Sequence, residues 1–282
     1  MVKISVILPV RNGNPDHFKL SVESILHQTF SDFELIIVDD SDDDSNEKLA
    51  KSYNDARIKI IQGGHKNLAA AINRGMDIAQ GEYIARMDSD DISYPERFQK
   101  QVDFLDSHFE ISLLGTAYRE IPAGKVIIFP ENLKYMDILQ KCYLVHPFVM
   151  FRKSDFEKYN LRYNEEFSVA EDYELWSRAV KYLNIANLKD VLLDYRVNKD
   201  SLYHANTKKV FEKDIIIREN MLEFLSDNKE WQDELFKFVC MRKKLSLKEK
   251  IFSIKNERRR NEKWKLVSLF GFRFRYKVKS EI

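Results

Sequence analysis

Apolar residues in the first ninety positions come in two alternating patterns, short continuous runs and stripes at helical spacing. Lys3-Ile4-Ser5-Val6-Ile7-Leu8-Pro9-Val10 is a β-rich run ended by a proline, and Arg11-Asn12-Gly13-Asn14-Pro15 supplies turn chemistry directly after it. Phe18, Val22, Ile25 and Leu26 then recur at helical spacing. The run Phe33 to Val38 is too continuously apolar for a half-exposed strand, so it predicts a central strand covered on both faces. Asp44 and Glu47 predict a capping box for a helix over 45–54, Arg57 to Gln62 a strand, and Leu68, Ala71, Ile72, Gly75, Met76 and Ala79 a helical stripe. A strand over 82–87 completes an alternation that predicts the α/β class, with a mainly parallel central sheet flanked by helices.

The second half is less regular. Strands are predicted over 111–116, 125–129 and 145–151, and helices over 132–142 and 171–183, the latter with Leu175, Trp176, Ala179, Val180 and Leu183 on its apolar side. Beyond residue 205, Ile215, Ile216, Met221, Leu222 and Leu225 predict a helix over 207–225, with another over 230–240, so 206–282 reads as a helical, basic C-terminal extension.

In doubly wound sheets ligands bind beyond the carboxyl ends of the strands. Pro9-Val10-Arg11, Asp39-Asp40 and Asp88-Ser89-Asp90 all stand at such ends, which gathers scattered motifs into one cleft.

Composition narrows the class. At 282 residues and 44% hydrophobic content the chain buries a large core and is not disordered. Cys142 and Cys240 lie far apart with no CxxC, against a structural zinc site or disulfide framework and in keeping with a reducing compartment. Met1 to Val10 reads as a strand rather than a secretory leader, and no run approaches the ~20 apolar residues of a membrane span, so the expected location is the cytoplasm. The net charge of +1 hides an asymmetry: Lys237 to Ile282 hold 16 Lys/Arg against 4 Asp/Glu, while the preceding residues hold 30 against 41.

The segment Tyr83-Ile84-Ala85-Arg86-Met87-Asp88-Ser89-Asp90-Asp91 drives a mostly apolar strand into three carboxylates. Like charges this close raise one another's pKa, and a chain that leaves them at the exit of a buried strand offers them a cation. Mg²⁺ and Mn²⁺ prefer such oxygen ligands and keep positions open for substrate phosphates, so a metal–diphosphate site is expected. The plainer alternative is a polar loop before a helix, because Ser93-Tyr94-Pro95-Glu96 has the form of a capping box with proline at the first helical position. That cap needs neither Asp88 nor Asp90. Glu171 and Asp172 are likewise open to a plain account as first-turn carboxylates favoured by the helix dipole. Three other chemistries are excluded. Asp39 to Asp44 lacks the central glycine and closing glutamate of a calcium loop, the first strand is not followed by GxGxxG, and no GxxxxGK[ST] phosphate loop occurs.

Taken together, these segments resemble the family 2 glycosyltransferases, which have the GT-A nucleotide-diphospho-sugar transferase fold. The matching pieces are Ser5 to Asn12, Glu34 to Ser41, Asn73-Arg74-Gly75, Gly81 to Asp91, His146 to Arg152 and Ala170 to Arg178, in order over roughly residues 1–200. The resemblance implies a transferase domain over 1–205, with a nucleotide-binding half (1–95) and an acceptor half (96–205). It implies that Pro9, Val10 and Arg11 line the nucleotide pocket and that Asp39 accepts a hydrogen bond from uracil. Asp88 and Asp90 match the ends of the DxD motif, so Asp88, with Ser89, should face the ribose and diphosphate while Asp90 coordinates Mn²⁺ or Mg²⁺. Asp172 matches the catalytic base, with Glu171 and His146 on the acceptor side. Many members carry Ala-Arg-Asn where this chain has Ala71-Ile72-Asn73, and Arg86 is the candidate to supply the missing charge.

The implied activity is an inverting, metal-dependent transfer of a hexose or N-acetylhexosamine from a UDP-sugar to a hydroxyl of a glycan acceptor, lipid-linked glycans included, in bacterial surface polysaccharide synthesis (O-antigen, capsule or lipooligosaccharide). A sugar nucleotidyltransferase is the rival enzyme, but it should show a Gly-rich basic loop where Arg11 to Pro15 stands. A catalytically inactive binding relic is the other alternative, and retention of Asp90 and Asp172 speaks against it. In the basic tail, Arg242-Lys243-Lys244 and Arg258-Arg259-Arg260 precede Trp264 to Tyr276, where aromatics alternate with Arg273 and Arg275. A solvated face is one account. The other is a peripheral anchor at the cytoplasmic face of the inner membrane, with Trp264, Phe270, Phe272 and Phe274 at the lipid boundary. Nucleic acid is not expected as a partner, since the acidic body lacks a continuous basic face.

Overall fold

Two strands of seven consecutive buried residues set the centre of the fold: β1 (Ile4–Val10) and, after helix α1 (Pro15–Leu26), β2 (Phe33–Asp39), paired in parallel. The computed structural model describes residues 2–197 and 206–225 with their side chains, and the backbone alone of 226–227, 252–259, 262–269 and 272–277. Helix α2 (Ser45–Ser52), β3 (Ile58–Gln62), α3 (Leu68–Ile78) and β4 (Tyr83–Arg86) continue the alternation, and β3, β2, β1 and β4 lie side by side, all parallel. Next come β5 (Ile92–Ser93), α4 (Arg97–Ser107), β6 (Ile111–Ile121), β7 (Val126–Ile127), β8 (Asn132–Leu133) and α5 (Tyr135–Gln140). A 3-10 turn over His146–Phe148 leads into β9 (Met150–Arg152), α6 (Lys153–Lys158), α7 (Glu171–Ala179) and β10 (Asn184–Arg196).

All ten strands form one sheet, with the main path β3-β2-β1-β4-β9-β6-β10-β5. The pairing directions decide where the chemistry can gather. β9 is antiparallel to both β4 and β6, and β6 is parallel to β10, so β1, β2, β3, β4, β6 and β10 all run the same way. Their carboxyl ends share one rim, and the chain that enters the reversed strand β9 starts from that rim too. The sheet is mixed, with its parallel half where the continuous apolar runs predict it.

The opposite rim is closed by buried polar contacts. Ser5 Oγ donates to Glu34 Oε1 (2.5 Å), which also accepts from the Gln80 amide (2.7 Å), while Lys59 Nζ pairs with Glu34 Oε2 at 2.6 Å. Ser5 Oγ in turn accepts from the Gly81 amide (2.8 Å), and a Cβ on Gly81 would lie 2.4 Å from the Ser5 nitrogen. Only glycine lets the chain approach β1 that closely.

Several sequence expectations are corrected. Ser93 is not a cap: it pairs with Leu193 in the β5–β10 ladder, its Oγ accepts from Gln28 Nε2, and α4 starts at Arg97 without a side-chain cap. Asp44 and Glu47 form no capping box at α2 because each is taken by the lysine four residues on, Lys48 at 2.8 Å and Lys51 at 2.5 Å. The strand predicted over 145–151 is shortened to β9, since Pro147 has no amide for a ladder and the chain turns there. The predicted segments 125–129 and 132–142 contract to β7 and to β8 with α5.

The chain divides into two compact units, residues 1–214 and 215–282. Helix α8 (Thr207–Asp227) covers the helix predicted over 207–225. The rest of the extension is not helical where it is described: β11 (Phe252–Arg259), β12 (Glu262–Leu269) and β13 (Phe272–Lys277) form an antiparallel sheet in that order. The sequence reason is the strict alternation Phe272-Arg273-Phe274-Arg275-Tyr276-Lys277, which has the period of a strand and not of a helix. The helix expected over 230–240 lies outside the described residues. Among the described residues no helix is long and apolar enough to cross a membrane.

Candidate active site

The acidic segment leaves β4 and turns sharply, and most of what holds it comes from α1. Ser21 Oγ donates to the Asp88 carbonyl (2.7 Å), Ser24 Oγ accepts from the Ser93 amide (3.0 Å), and Gln28 Nε2 donates to the Tyr94 carbonyl (2.7 Å). Ser21 and Ser24, at i and i+3, lie on one face of α1, and Gln28 follows two residues past its end, so α1 and the turn that closes it fasten the loop. From the far side Arg196, the last residue of β10, donates its amide to Asp91 Oδ1 (2.8 Å) and its Nε to the Asp90 carbonyl (2.9 Å).

Carboxylate oxygens of Asp88, Asp90 and Asp91 all lie within 4.8 Å of one another. Asp88 and Asp90 are half-buried, whereas Asp91 is fully buried with Oδ2 unpartnered. Burial, and then the Asp88 charge, push Asp90 up to about 6. Asp91 is driven well above the ordinary carboxylate range by burial and by both neighbours. This repulsion is of the kind that a divalent cation relieves, and an all-oxygen donor set with an orphaned buried oxygen fits a hard ion such as Mn²⁺ or Mg²⁺.

Beneath the acids lie two buried arginines. Arg86 donates Nη2 to Asp88 Oδ1 (2.5 Å) and Nη1 to the Met87 carbonyl. Arg97 donates to the Arg86 carbonyl (2.9 Å) and to Gln101 Oε1 (3.1 Å), and Gln101 donates to the Phe148 carbonyl (2.9 Å). The first turns of α4 therefore grip both the exit of β4 and the turn that carries His146. Burial lowers Arg97 to about 9, with the Asp91 charge opposing and the Arg86 charge adding to the fall.

The remaining expected residues fall around this cluster. Pro9 and Val10 are buried in β1 beside Val38 and Asp39, and Arg11 is exposed at the rim. Asp39 is buried and accepts from the Ser41 amide (2.9 Å). Asn12 exchanges two bonds with Asp42 (2.7 and 2.9 Å), which ties the loops after β1 and β2 together. A Cβ on Gly13 would meet Val10 Cγ2 at 3.3 Å and Ser89 Oγ at 3.7 Å, so the β1 loop reaches the acidic loop. Ile72, where the resemblance expects arginine, is buried in α3.

Glu171 and Asp172 open α7 directly after Ala170, which takes left-handed backbone (φ 57°). Asp172 Oδ1 accepts from the Tyr173 amide (2.7 Å). Burial raises Asp172 to about 6, with the Asp88 charge adding to the rise and the Arg86 charge opposing it. Glu171 rises to about 8 by burial and by the charge of Asp172, and it too feels Arg86 and Asp88. The exit of β4 and the first turn of α7 thus share one electrostatic field, although more than eighty residues separate them. His146 is buried, with Nε2 2.8 Å from the Tyr163 hydroxyl and Nδ1 3.8 Å from Glu171 Oε1, and burial keeps it neutral with Arg86 reinforcing the effect.

Arg97, Arg196 and Tyr163 are absent from the sequence reading. A signal existed for Arg97: with Gln101 it interrupts the apolar stripe Phe98, Val102 and Leu105, and polar side chains inside such a stripe are buried for a reason. Arg196 and Tyr163 carry no local signal, since only tertiary structure brings them here.

Comparison with known proteins bears on the family and the fold. The model of the family described as glycosyl transferase family 2 matches residues 5–160. The O-antigen biosynthesis glycosyltransferase WbnJ of Escherichia coli is 36% identical over 210 residues, 70% of this chain and 81% of that protein. Residues 1–349 of S. aureus TarS, solved with UDP-GlcNAc, superpose with a TM-score of 0.69 at 19% identity, covering 88% of this chain and 74% of that one. The mannosyltransferase PcManGT of Pyrobaculum calidifontis, solved with GDP-Man and Mn²⁺, gives 0.61 at 16% identity over 80% of this chain and 65% of that one. These likenesses establish the GT-A fold. A family match that runs from β1 past α6, joined to more than one-third identity with a glycosyltransferase over most of both chains, means that this chain belongs to glycosyl transferase family 2.

Proposed function

We propose that the chain transfers a hexose or N-acetylhexosamine from a UDP-sugar to a hydroxyl of a glycan acceptor, with inversion and with the help of a divalent metal, in surface polysaccharide synthesis. What supports the reading most is the gathering of Asp88, Asp90 and Asp91 oxygens within 4.8 Å at the exit of β4, with the Asp88 charge acting on Asp172 of α7. WbnJ, named for O-antigen biosynthesis, and TarS, solved with UDP-GlcNAc, support the substrate class. The Mn²⁺ bound to PcManGT supports the metal.

In this reading Asp90 would hold Mn²⁺ or Mg²⁺ while Asp88 faces the ribose and diphosphate, and the ion would supply charge to neutralise the diphosphate leaving group. Arg86 steadies Asp88 from beneath, Asp39 accepts from the uracil, and Pro9, Val10, Arg11 and Ser89 wall the nucleotide. The acceptor oxygen forms its bond to the anomeric carbon from the face opposite the diphosphate. The old carbon–oxygen bond breaks with its electron pair going to UDP, and the hydroxyl proton passes to Asp172. Glu171 and His146 shape the acceptor side. The basic aromatic tail is proposed to hold the enzyme at an anionic membrane surface where lipid-linked acceptors lie, and loss of vesicle co-sedimentation on truncation near residue 240 is the expected sign.

The decisive experiment screens UDP-sugars with Mn²⁺ for UDP release and then follows transfer. Asp90→Ala and Asp172→Asn should each abolish transfer with the fold intact by circular dichroism. Turnover that survives exhaustive EDTA treatment, or near-normal turnover by Asp172→Asn, would overturn the metal role or the base role respectively.

A further inference from the structure

Asp172 sits on a short helix reached through a loop, and a loop does not by itself hold a base to the tolerance that proton transfer needs. The loop 159–170 is tied to the start of α3 by Asn67 Nδ2, which donates to the Glu165 carbonyl (2.8 Å), and to α7 by Arg178 Nη2, which donates to the Arg162 carbonyl (2.6 Å), and one further contact is unusual. Asn73, in the middle of α3, donates Nδ2 to the Tyr163 carbonyl (2.9 Å) and accepts at Oδ1 from the Tyr163 amide (3.1 Å), so one side-chain amide takes both backbone groups of one residue. Asn73 Nδ2 also reaches Glu165 Oε1 (3.3 Å), and Arg162 Nη2 donates to the Asn73 carbonyl (2.8 Å). Asn73 and Tyr163 are both buried, and α3 packs on β1 and β2 of the nucleotide-binding half.

With its backbone held, Tyr163 points its hydroxyl at His146 Nε2 (2.8 Å), and the rings of both lie 6.4 Å from that of Trp176, which α7 carries. A buried tyrosine hydroxyl donates its proton. Nε2 therefore accepts, and the proton of the neutral imidazole sits on Nδ1; Glu171 Oε1, one residue before Asp172, lies 3.8 Å from it, beyond hydrogen-bond reach. From this chain of contacts we infer that Asn73 and Tyr163 are positioning residues: Asn73 anchors Tyr163 to the nucleotide-binding half, and Tyr163 sets the tautomer and orientation of His146, the two rings packing together against Trp176 of α7, the helix whose first turn carries Asp172. Donor side and base are thereby registered against each other through α3, not through the loop. This inference rests on the assignment of Asp172 as base.

Tyr163→Phe tests it, because it removes one hydroxyl and keeps the ring. With the UDP-sugar that the wild type turns over best, kcat should fall about 10- to 100-fold, the cost of a slightly misplaced base, while donor KM stays within about twofold. His146→Gln, which keeps an acceptor for the hydroxyl, should retain more kcat than His146→Leu at matched thermal midpoint. Long-range ¹H–¹⁵N spectra of ¹⁵N-histidine protein should show one buried neutral ring protonated at Nδ1 that loses this signature in Tyr163→Phe. An unchanged kcat in Tyr163→Phe, or equal kcat in folded His146→Gln and His146→Leu, overturns the inference. If Tyr163→Phe fails to fold, the two His146 variants decide. A wild type that releases UDP from no UDP-sugar overturns the proposed function instead, and the histidine spectrum then still reports whether Tyr163 sets the ring.

Discussion

At the scale of single residues, the site is a balance between carboxylates that repel and the groups that hold them. Asp172 is raised to about 6 by burial and by Asp88, so its active, ionised form is depleted as pH falls below that value. The expected profile of kcat/KM therefore has an acid limb near pH 6, below which activity falls about tenfold per unit. A limb near pH 4 would mean that burial and Asp88 do not raise the working base. The acidic cluster of Asp88, Asp90 and Asp91 was legible in the sequence because charge placed at the end of an apolar run has few cheap explanations, whereas Asp172, a first-turn carboxylate, was singled out only by the family resemblance. Tyr163 and Arg196 were not, because a tyrosine in a loop and an arginine at a strand end look the same whether or not a fold carries them to a buried partner. Ser93 misled for a related reason: its neighbours Pro95 and Glu96 make a cap locally, and only β10, a hundred residues on, claims it for a ladder.

At the scale of elements, the nucleotide-binding half follows from its own pattern, since β1, β2 and β4 are mostly apolar and buried along their whole length, as parallel strands covered on both faces are. What the pattern leaves open is how closely the pieces approach. Gly81 answers this at one point, where the chain entering β4 passes within a methyl group of the β1 backbone. Gly81→Ala has no flexible neighbour to displace and should cost about 1–3 kcal/mol in denaturant unfolding, with the acidic loop and its residues unaltered. A change within about 0.5 kcal/mol would show that the backbone yields there. The tail was misjudged at this same scale: a few apolar positions at helical spacing around 215–225 were extended over a segment whose own period is two, and β11, β12 and β13 follow the shorter period.

At the scale of the whole molecule, chemistry and stability occupy opposite rims of one sheet. On the rim away from the acids, burial alone would raise Glu34, but Lys59, the Ser5 hydroxyl and the Gln80 amide prevail and leave its pKa below the ordinary value. A carboxylate depressed in the folded state contributes stability that is complete above its unfolded pKa of about 4.3 and is lost as pH falls through the folded value. Thermal midpoints measured from pH 7 to pH 3 should thus decline more steeply in the wild type than in Glu34→Gln, and parallel declines would remove Glu34 from the account. The other rim has a property that follows from β9 alone. Because that strand is reversed, the segment ahead of it, and those after β1, β2, β4 and β6, all leave from the same rim while the ladders beneath stay unaltered. Trading these rim segments between related enzymes is accordingly the economical route to a new acceptor preference, whereas changes on the rim that holds Ser5, Glu34 and Gly81 should leave the choice of sugar untouched.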